Sequence, residues 1–325
     1  MQIKGIHHVS AMTANARLNV DFYTKVLGMR LIKKTVNQDD TSMYHLFYGD
    51  RVGNPGTELT FFEIPNAAAN HNGNRSISEI QLRVPDDASI DFWIERLNAH
   101  DVVHSDVVDI VGRKTLPFQD PEGQRLAFVS DETNKGIKGG EPWEKSPISA
   151  SQFIRGLGPV KLTVPKAEVT GMVLADILGF TKVGTRPAEQ EGQPEIEIYS
   201  VGEGGTGAEV HLEERTDLPP ERLGRGGVHH VAFRVEDKEE LMEWVEKMKA
   251  LRIPTSGFVE RYYFKSLYFR EPNGILFELA TDGPGFATDE DEAHLGESLA
   301  LPPFLEPKRQ TIEATIKPLD TGGER

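Results

Sequence analysis

The chain has 325 residues, with 36 Lys and Arg against 51 Asp and Glu, a net charge of −15 with histidine neutral. No Lys/Arg-rich run is present, which argues against binding to a phosphate backbone and against a polybasic membrane patch. The chain has no cysteine, which excludes disulfides, thiolate nucleophiles, Fe–S clusters and cysteine-ligated zinc, so its chemistry must use His, carboxylates, Tyr, Arg or a metal held by nitrogen and oxygen.

The first residues meet the polar pair His7-His8 without a signal-peptide core, and no run of about 18 apolar residues occurs, so a cytoplasmic protein is expected. Residues 6–12 read as a strand. Residues 14–27 follow with Leu18, Val20, Phe22, Tyr23, Val26 and Leu27 at helical spacing, and Gly28 stops the helix. Strand-like stretches at 29–34, 43–48 and 58–64 complete a β-α-β-β-β order. The order recurs with a strand at 77–84, a helix at 88–99 and strands to 126–130. It recurs again with 160–164, a helix at 166–178 ended by Gly179 and strands to 210–212. The fourth copy has a strand at 228–235, a helix at 238–251 and strands to 275–280.

Likeness between copies supports the repeat. Asp120-Pro121-Glu122-Gly123 closes the second unit, and Glu271-Pro272-Asn273-Gly274 closes the fourth, each an acid-Pro-x-Gly turn before a strand. The expected organisation is an N-terminal domain over 1–132, with modules at 1–66 and 75–132, and a C-terminal domain over 152–282, with modules at 152–214 and 224–282. Residues 133–151 read as the linker. Residues 283–325 form an acidic tail that either wraps the surface or stays partly disordered.

Of ten histidines, His71, His100, His104 and His294 sit in polar loop or helix-end contexts and read as solvated. His45 and His211 lie in strands and read as hydrogen-bonded core residues. The doublets His7-His8 and His229-His230 differ, because each opens a unit inside a Gly-x-His-His-Val string. Two such pairs at equivalent places in a repeat point to metal ligation. A third ligand is expected at Glu278, an acid among apolar residues on a strand that reads as buried, where an unpaired charge costs several kcal/mol. The plainer account of Glu278 is an edge carboxylate facing water. Two His and one carboxylate suit non-haem Fe(II), with Mn(II) as a substitute. Unit two has Glu79 and Ala127 at the ligand positions, and unit three has Pro159 where unit one has His8. Only one complete site is therefore expected, and it requires units one and four to face each other.

The string from Leu267 to Glu278 resembles the extradiol signature of the vicinal-oxygen-chelate superfamily of glyoxalases and ring-cleaving dioxygenases: apolar Leu267, Tyr268, two spacers, Glu271, Pro272, a spacer, Gly274, then Glu278. The resemblance implies an α+β fold of four βαβββ modules in two tandem domains, with curved mixed and antiparallel sheets flanked by helices. It implies Glu278 and His230 as ligands and Tyr268 as a donor to the substrate oxygen. The catechol enzymes usually take a histidine where Pro159 stands and carry another near Arg261. Both departures resemble the branch that cleaves para-hydroquinones, which implies His8 as the first ligand and Arg261, seven residues before Tyr268, as an oxyanion stabiliser.

That branch implies Fe(II), O₂ as co-substrate and a small hydroquinone-like aromatic substrate. His229 is expected as an acid or base. Strand alternation would point it away from His230, so a bulge or twist must bring it round. Two other readings remain: a glyoxalase-like isomerase with a second glutamate near Thr60, for which Glu58 is the candidate, and a non-catalytic ligand-binding protein. No nucleic-acid or membrane partner is expected, and association into a homo-oligomer stays open.

Overall fold

The computed structural model describes residues 1–321, and the last four residues of the expected tail lie outside the described residues. The first unit is β1 (Ile6–Thr13), α1 (Ala16–Val20), β2 (Arg30–Val36), β3 (Tyr44–Gly49) and β4 (Glu58–Glu63). The second is β5 (Ser76–Val84), α2 (Asp87–Ala99), β6 (Val108–Ile110), β7 (Arg113–Gln119) and β8 (Arg125–Ser130). The third is β9 (Gly156–Val164), α3 (Ala167–Met172), β10 (Thr181–Arg186), β11 (Ile196–Ser200) and β12 (Glu209–Glu214). The fourth is β13 (Val228–Val235), α4 (Lys238–Ala250), β14 (Val259–Glu260), β15 (Lys265–Arg270) and β16 (Leu276–Thr281).

The helices show why the sequence pattern works and where it falls short. Asp86 accepts from Ser89 N at 2.8 Å and Asp237 from Glu240 N at 2.9 Å, satisfying first-turn amides of α2 and α4. These two helices bury Ile90, Trp93 and Leu97, and Leu241, Trp244 and Met248, at three- and four-residue spacing. The helices expected at 14–27 and 166–178 are not α-helical throughout. α1 passes into π-helical Asp21–Val26 and α3 into Val173–Ile177. The wider turn closes through Leu27 N to Phe22 O at 3.0 Å and buries the adjacent pair Phe22 and Tyr23 together. Gly28 ends the first of them in the left-handed region, at φ +71°.

Two eight-stranded sheets result, in the orders β14-β15-β16-β13-β1-β4-β3-β2 and β10-β11-β12-β9-β5-β8-β7-β6. Each therefore joins one unit from either half of the chain. Within a unit the first strand pairs in parallel with the last, as β1 does with β4 and β13 with β16, which leaves the first strand's other edge open. Joining β1 to β13, and β5 to β9, covers both pairs of open edges. Units one and four thus share a sheet, as the single expected site requires.

The remaining segments pack on this frame. Residues of the linker hold to the first unit: Ser146 Oγ donates to Gly28 O at 2.7 Å, and Ile148 is buried. Beyond β16 the tail covers the edge of β2, with Ala300 N donating to Lys34 O at 2.9 Å and α5 (Arg309–Thr315) burying Ile312. Of the two expected forms of the tail, the described part takes the wrapped one. No helix of the described residues is long and apolar enough to cross a membrane.

Candidate metal centre

The β1–β13 seam carries two bulges, and each falls on a histidine doublet. Along β1, Ile6 and His8 pair with the consecutive residues Phe233 and Ala232, so His7 is the extra residue. Along β13, Val228 and His230 pair with Ala11 and Ser10, so His229 is the extra residue. A bulge turns its side chain out of strict alternation. Both extra imidazoles accordingly lie beside their neighbours, with Nδ1–Nδ1 distances of 3.0 Å for His7 and His8 and 2.8 Å for His229 and His230.

The bulge at His7 also fixes a tautomer. His7 Nε2 donates to Thr281 O at 3.1 Å, and burial keeps the His7 pKa well below the usual histidine range. A neutral His7 with its proton on Nε2 accepts at Nδ1, so His8 donates from Nδ1. With its proton on Nδ1, a metal-binding His8 would present its Nε2 lone pair on the other side of the ring.

That lone pair meets two other electron-rich atoms. His8 Nε2 lies 3.1 Å from Glu278 Oε2, His230 Nε2 lies 2.9 Å from the same oxygen, and the two nitrogens are 3.3 Å apart. All three residues are buried, Glu278 fully, and among the described residues neither Glu278 oxygen accepts a hydrogen bond. Ligand bonds of about 2.1 Å at right angles put neighbouring ligand atoms about 3.0 Å apart. The triangle fits one face of an octahedron, with the three ligand atoms near enough to share one cation.

His8 and His230 line one side of a cavity of about 540 Å³, with Glu278 buried behind them, and its walls include Phe47, Phe62 and Phe264. Tyr268, across from Glu278 in the β15–β16 register, accepts from Arg261 Nε at 3.2 Å and so keeps its own O–H free to donate. Burial and the Glu278 charge raise the Tyr268 pKa, which holds that proton in place. Arg261 also pairs with Asp39 at 2.9 Å. His229 faces the cavity through the bulge, and burial with the His230 charge lowers its pKa to about 4. All six residues singled out from the sequence are therefore brought to one place.

Two further residues are placed differently from their sequence readings. His45 is hydrogen-bonded, as expected, but it is half-buried and lines the cavity, stacked 4.2 Å from the Phe62 ring with Nε2 3.0 Å from Thr60 Oγ1. Glu58, the candidate extra ligand, groups with His7 and His8 and not with His230 and Glu278. Its carboxyl lies 3.6 Å from His7 Nδ1, because the bulge places that imidazole between it and the triad. Thr60 bonds Ser10 Oγ at 2.7 Å. In the second sheet Glu79 faces Lys161 at 3.9 Å, and among the described residues no ligand group forms there.

The sequence profile of the Glyoxalase/Bleomycin resistance protein/Dioxygenase superfamily matches residues 5–128 and 156–279. The chain belongs to this superfamily. Within it, the chain is 57% identical to MhqA of Bacillus subtilis, a protein assigned as a ring-cleaving dioxygenase, over 98% of this chain and all of that one. It is 29% identical to the chlorohydroquinone/hydroquinone 1,2-dioxygenase of Sphingobium indicum, over 97% of this chain and 96% of that one. A Bacillus subtilis crystal structure, of a protein assigned as a dioxygenase, superposes with a TM-score of 0.88 at 33% identity, covering 99% of both chains. The two curved sheets built from four repeated units are the superfamily's architecture in this chain.

Proposed function

We propose that this protein is a metal-dependent ring-cleaving dioxygenase acting on a hydroquinone-type aromatic, with Fe(II), or alternatively Mn(II), held by His8, His230 and Glu278. The observation that carries the reading is the buried triangle of ligand atoms, 2.9 to 3.3 Å on its edges, opening onto an aromatic-walled cavity. The names of the relatives agree with it. When bound, the metal supplies the centre at which O₂ and the quinol are brought together for oxidative ring opening.

The chain's own residues orient the substrate. A hydroquinone carries its hydroxyls para to each other, so only one can reach the metal and the ring must be aimed by protein contacts. Phe47, Phe62 and Phe264 supply apolar walls for the ring. Tyr268 donates its O–H to the substrate oxygen nearest the triad, and Arg261, permanently charged, holds Tyr268 in place and stabilises negative charge developing beside it. His229, whose Nδ1 accepts from His230 Nδ1, carries its proton on Nε2 and acts there as the acid, giving that proton to the substrate and recovering it afterwards. Both atoms of O₂ enter the product beside a hydroxyl-bearing carbon. A cytoplasmic location belongs to the same reading.

The test is O₂ uptake by anaerobically purified, Fe(II)-loaded protein given methylhydroquinone, catechol or a methylglyoxal–thiol adduct separately. Uptake with the hydroquinone is expected. Isomerisation of the thiol adduct, or full hydroquinone-dependent uptake by a Glu278→Gln protein that retains iron, would sink it.

A further inference from the structure

A second cleft, of about 230 Å³, lies where the two sheets meet and the linker crosses them, and nothing in the proposed reaction uses it. It is lined by Arg83, Arg155, Arg234 and Lys138, with Gly139 and Gly140 of the linker. Four cationic side chains around one cleft stand out in a chain of net charge −15.

The repeat explains two of the four. Arg83 and Arg234 occupy matching places near the ends of β5 and β13, and each holds the Asp that follows the last strand of its unit. Arg83 bonds Asp131 through Nε at 3.2 Å and Nη2 at 2.8 Å, and Arg234 bonds Asp282 through Nε at 2.9 Å and Nη2 at 2.8 Å. These pairs are internally neutralised. Glu141, the acid on the cleft wall, pairs with Arg51 at 2.9 Å.

Lys138 and Arg155 are not matched in this way. Lys138 has no ion pair among the described residues, and Arg155 reaches only the already engaged Asp131, at 4.0 Å. Arg83 is 2% exposed, and its Nη1 makes no hydrogen bond among the described residues. Gly207 is what leaves that nitrogen open to the cleft, since a Cβ there would stand 2.8 Å from it. A guanidinium edge that opens onto the cleft, beside Lys138 and an Arg155 whose nearest carboxylate is already engaged by Arg83, forms a donor set that suits an anion.

We propose that this cleft binds a small multivalent oxyanion, of phosphate or polycarboxylate chemistry, with Arg83 Nη1, Arg155 and Lys138 as its donors. The linker is then a functional segment that supplies Lys138 and folds over the junction of the two sheets. Ile6 lines the same cleft, and Gly56, also on its wall, donates to His7 O at 2.7 Å, so the site backs onto the strand that carries His7 and His8.

Calorimetric titration of the full-length, metal-loaded protein at low ionic strength tests this, with inorganic phosphate and citrate as separate probes and sodium chloride as the ionic-strength control. Saturable one-site binding of at least one probe is expected, weakened about tenfold or more in a Lys138→Ala/Arg155→Ala protein, a loss of about 1.4 kcal/mol or more. Binding should persist after the metal is stripped, which separates this site from the triad. Phosphate alone binding would assign a phosphate-type ligand, and citrate alone a carboxylate. Heats no larger than those of sodium chloride, binding unchanged in a folded double variant, or binding lost with the metal would each overturn the proposal.

Discussion

His229 Nδ1 lies 2.8 Å from His230 Nδ1, and His7 repeats that contact with His8 at 3.0 Å across the β1–β13 seam. The two bulged histidines orient the two proposed ligands in the same way but spend their remaining nitrogen differently. His7 commits Nε2 to Thr281 O, whereas His229 keeps Nε2 for the cavity. Loss of either orienting group is expected to weaken metal binding by about 10–100-fold. His229→Ala should in addition slow turnover once metal is restored to saturation, and His7→Ala should not. Competition against a chelator, followed by O₂ uptake at saturating metal, separates the two effects; equal metal affinity in all three proteins would refute the orienting role.

Tyr268 and Arg261 act as a pair. With Arg261 Nε donating to its oxygen at 3.2 Å, Tyr268 can offer only its proton to a substrate. Tyr268→Phe removes that donor without touching the triad, so metal content should be unchanged while kcat/KM falls by about 10²-fold. Arg261→Lys should cost a similar factor, because one ammonium cannot reach Tyr268 and Asp39 with the geometry of a guanidinium. Metal analysis alongside the kinetics checks both, and a fall in bound metal that accounts for the lost activity would count against a substrate-directed role.

How much of this was legible beforehand follows from what each feature depends on. His8, His230 and Glu278 could be brought together as proposed ligands from sequence because the repeated Gly turns and the resemblance to a known signature are local, and because one complete candidate set required units one and four to face each other. His45 and Glu58 could not be placed, since their positions depend on how far the sheet curls and where a bulge inserts a residue. The need for a bulge at His229 was readable. The matching bulge at His7, which separates Glu58 from the triad, had no signal of its own. The π-helical turns were hidden for a similar reason: an apolar run at helical spacing looks the same until a neighbouring pair such as Phe22 and Tyr23 must be buried at once.

Glu221 gives the fold a pH dependence away from the proposed centre. It ties the loop before β13 to the loop before β5, accepting from Asn70 Nδ2 at 2.9 Å, and burial raises its pKa to about 7 against the partial offset of Asn70 and Arg125. A carboxyl with a raised folded pKa holds its proton more tightly in the native state than in the unfolded chain. Its stabilising contribution is therefore full below the unfolded value of about 4.5 and is lost as pH rises toward 7. Glu221→Gln keeps the acceptor for Asn70 without the titration. Urea unfolding from pH 4.5 to 8 should show the variant gaining on the wild type by on the order of 2 kcal/mol as pH rises; parallel curves would show that Glu221 does not titrate in this window.

Lys33 couples the tail to the cavity wall. Its side chain is fully buried in β2, yet its ammonium meets Asp289 Oδ1 at 2.7 Å, Phe286 O at 2.9 Å and the Glu290 carboxylate, all from the tail, and sits 4.8 Å from the Tyr263 ring. Tyr263, a cavity-lining residue, donates its hydroxyl to Asp289 Oδ2 at 2.8 Å. Removing the acids strands a buried cation, so Asp289→Ala/Glu290→Ala should cost about 3–5 kcal/mol. Replacing the whole cluster is a different matter, because a desolvated ion pair gains little over apolar packing of similar volume. Lys33→Met combined with Asp289→Asn and Glu290→Gln should stay within about 1 kcal/mol of the wild type in stability. That protein should still bind hydroquinone more weakly, since Tyr263 loses its charged acceptor and with it a fixed ring position. Denaturant unfolding together with KM for the hydroquinone reads both effects, and a triple variant as unstable as the double would show that the ion cluster itself, not the stranded charge, holds the tail.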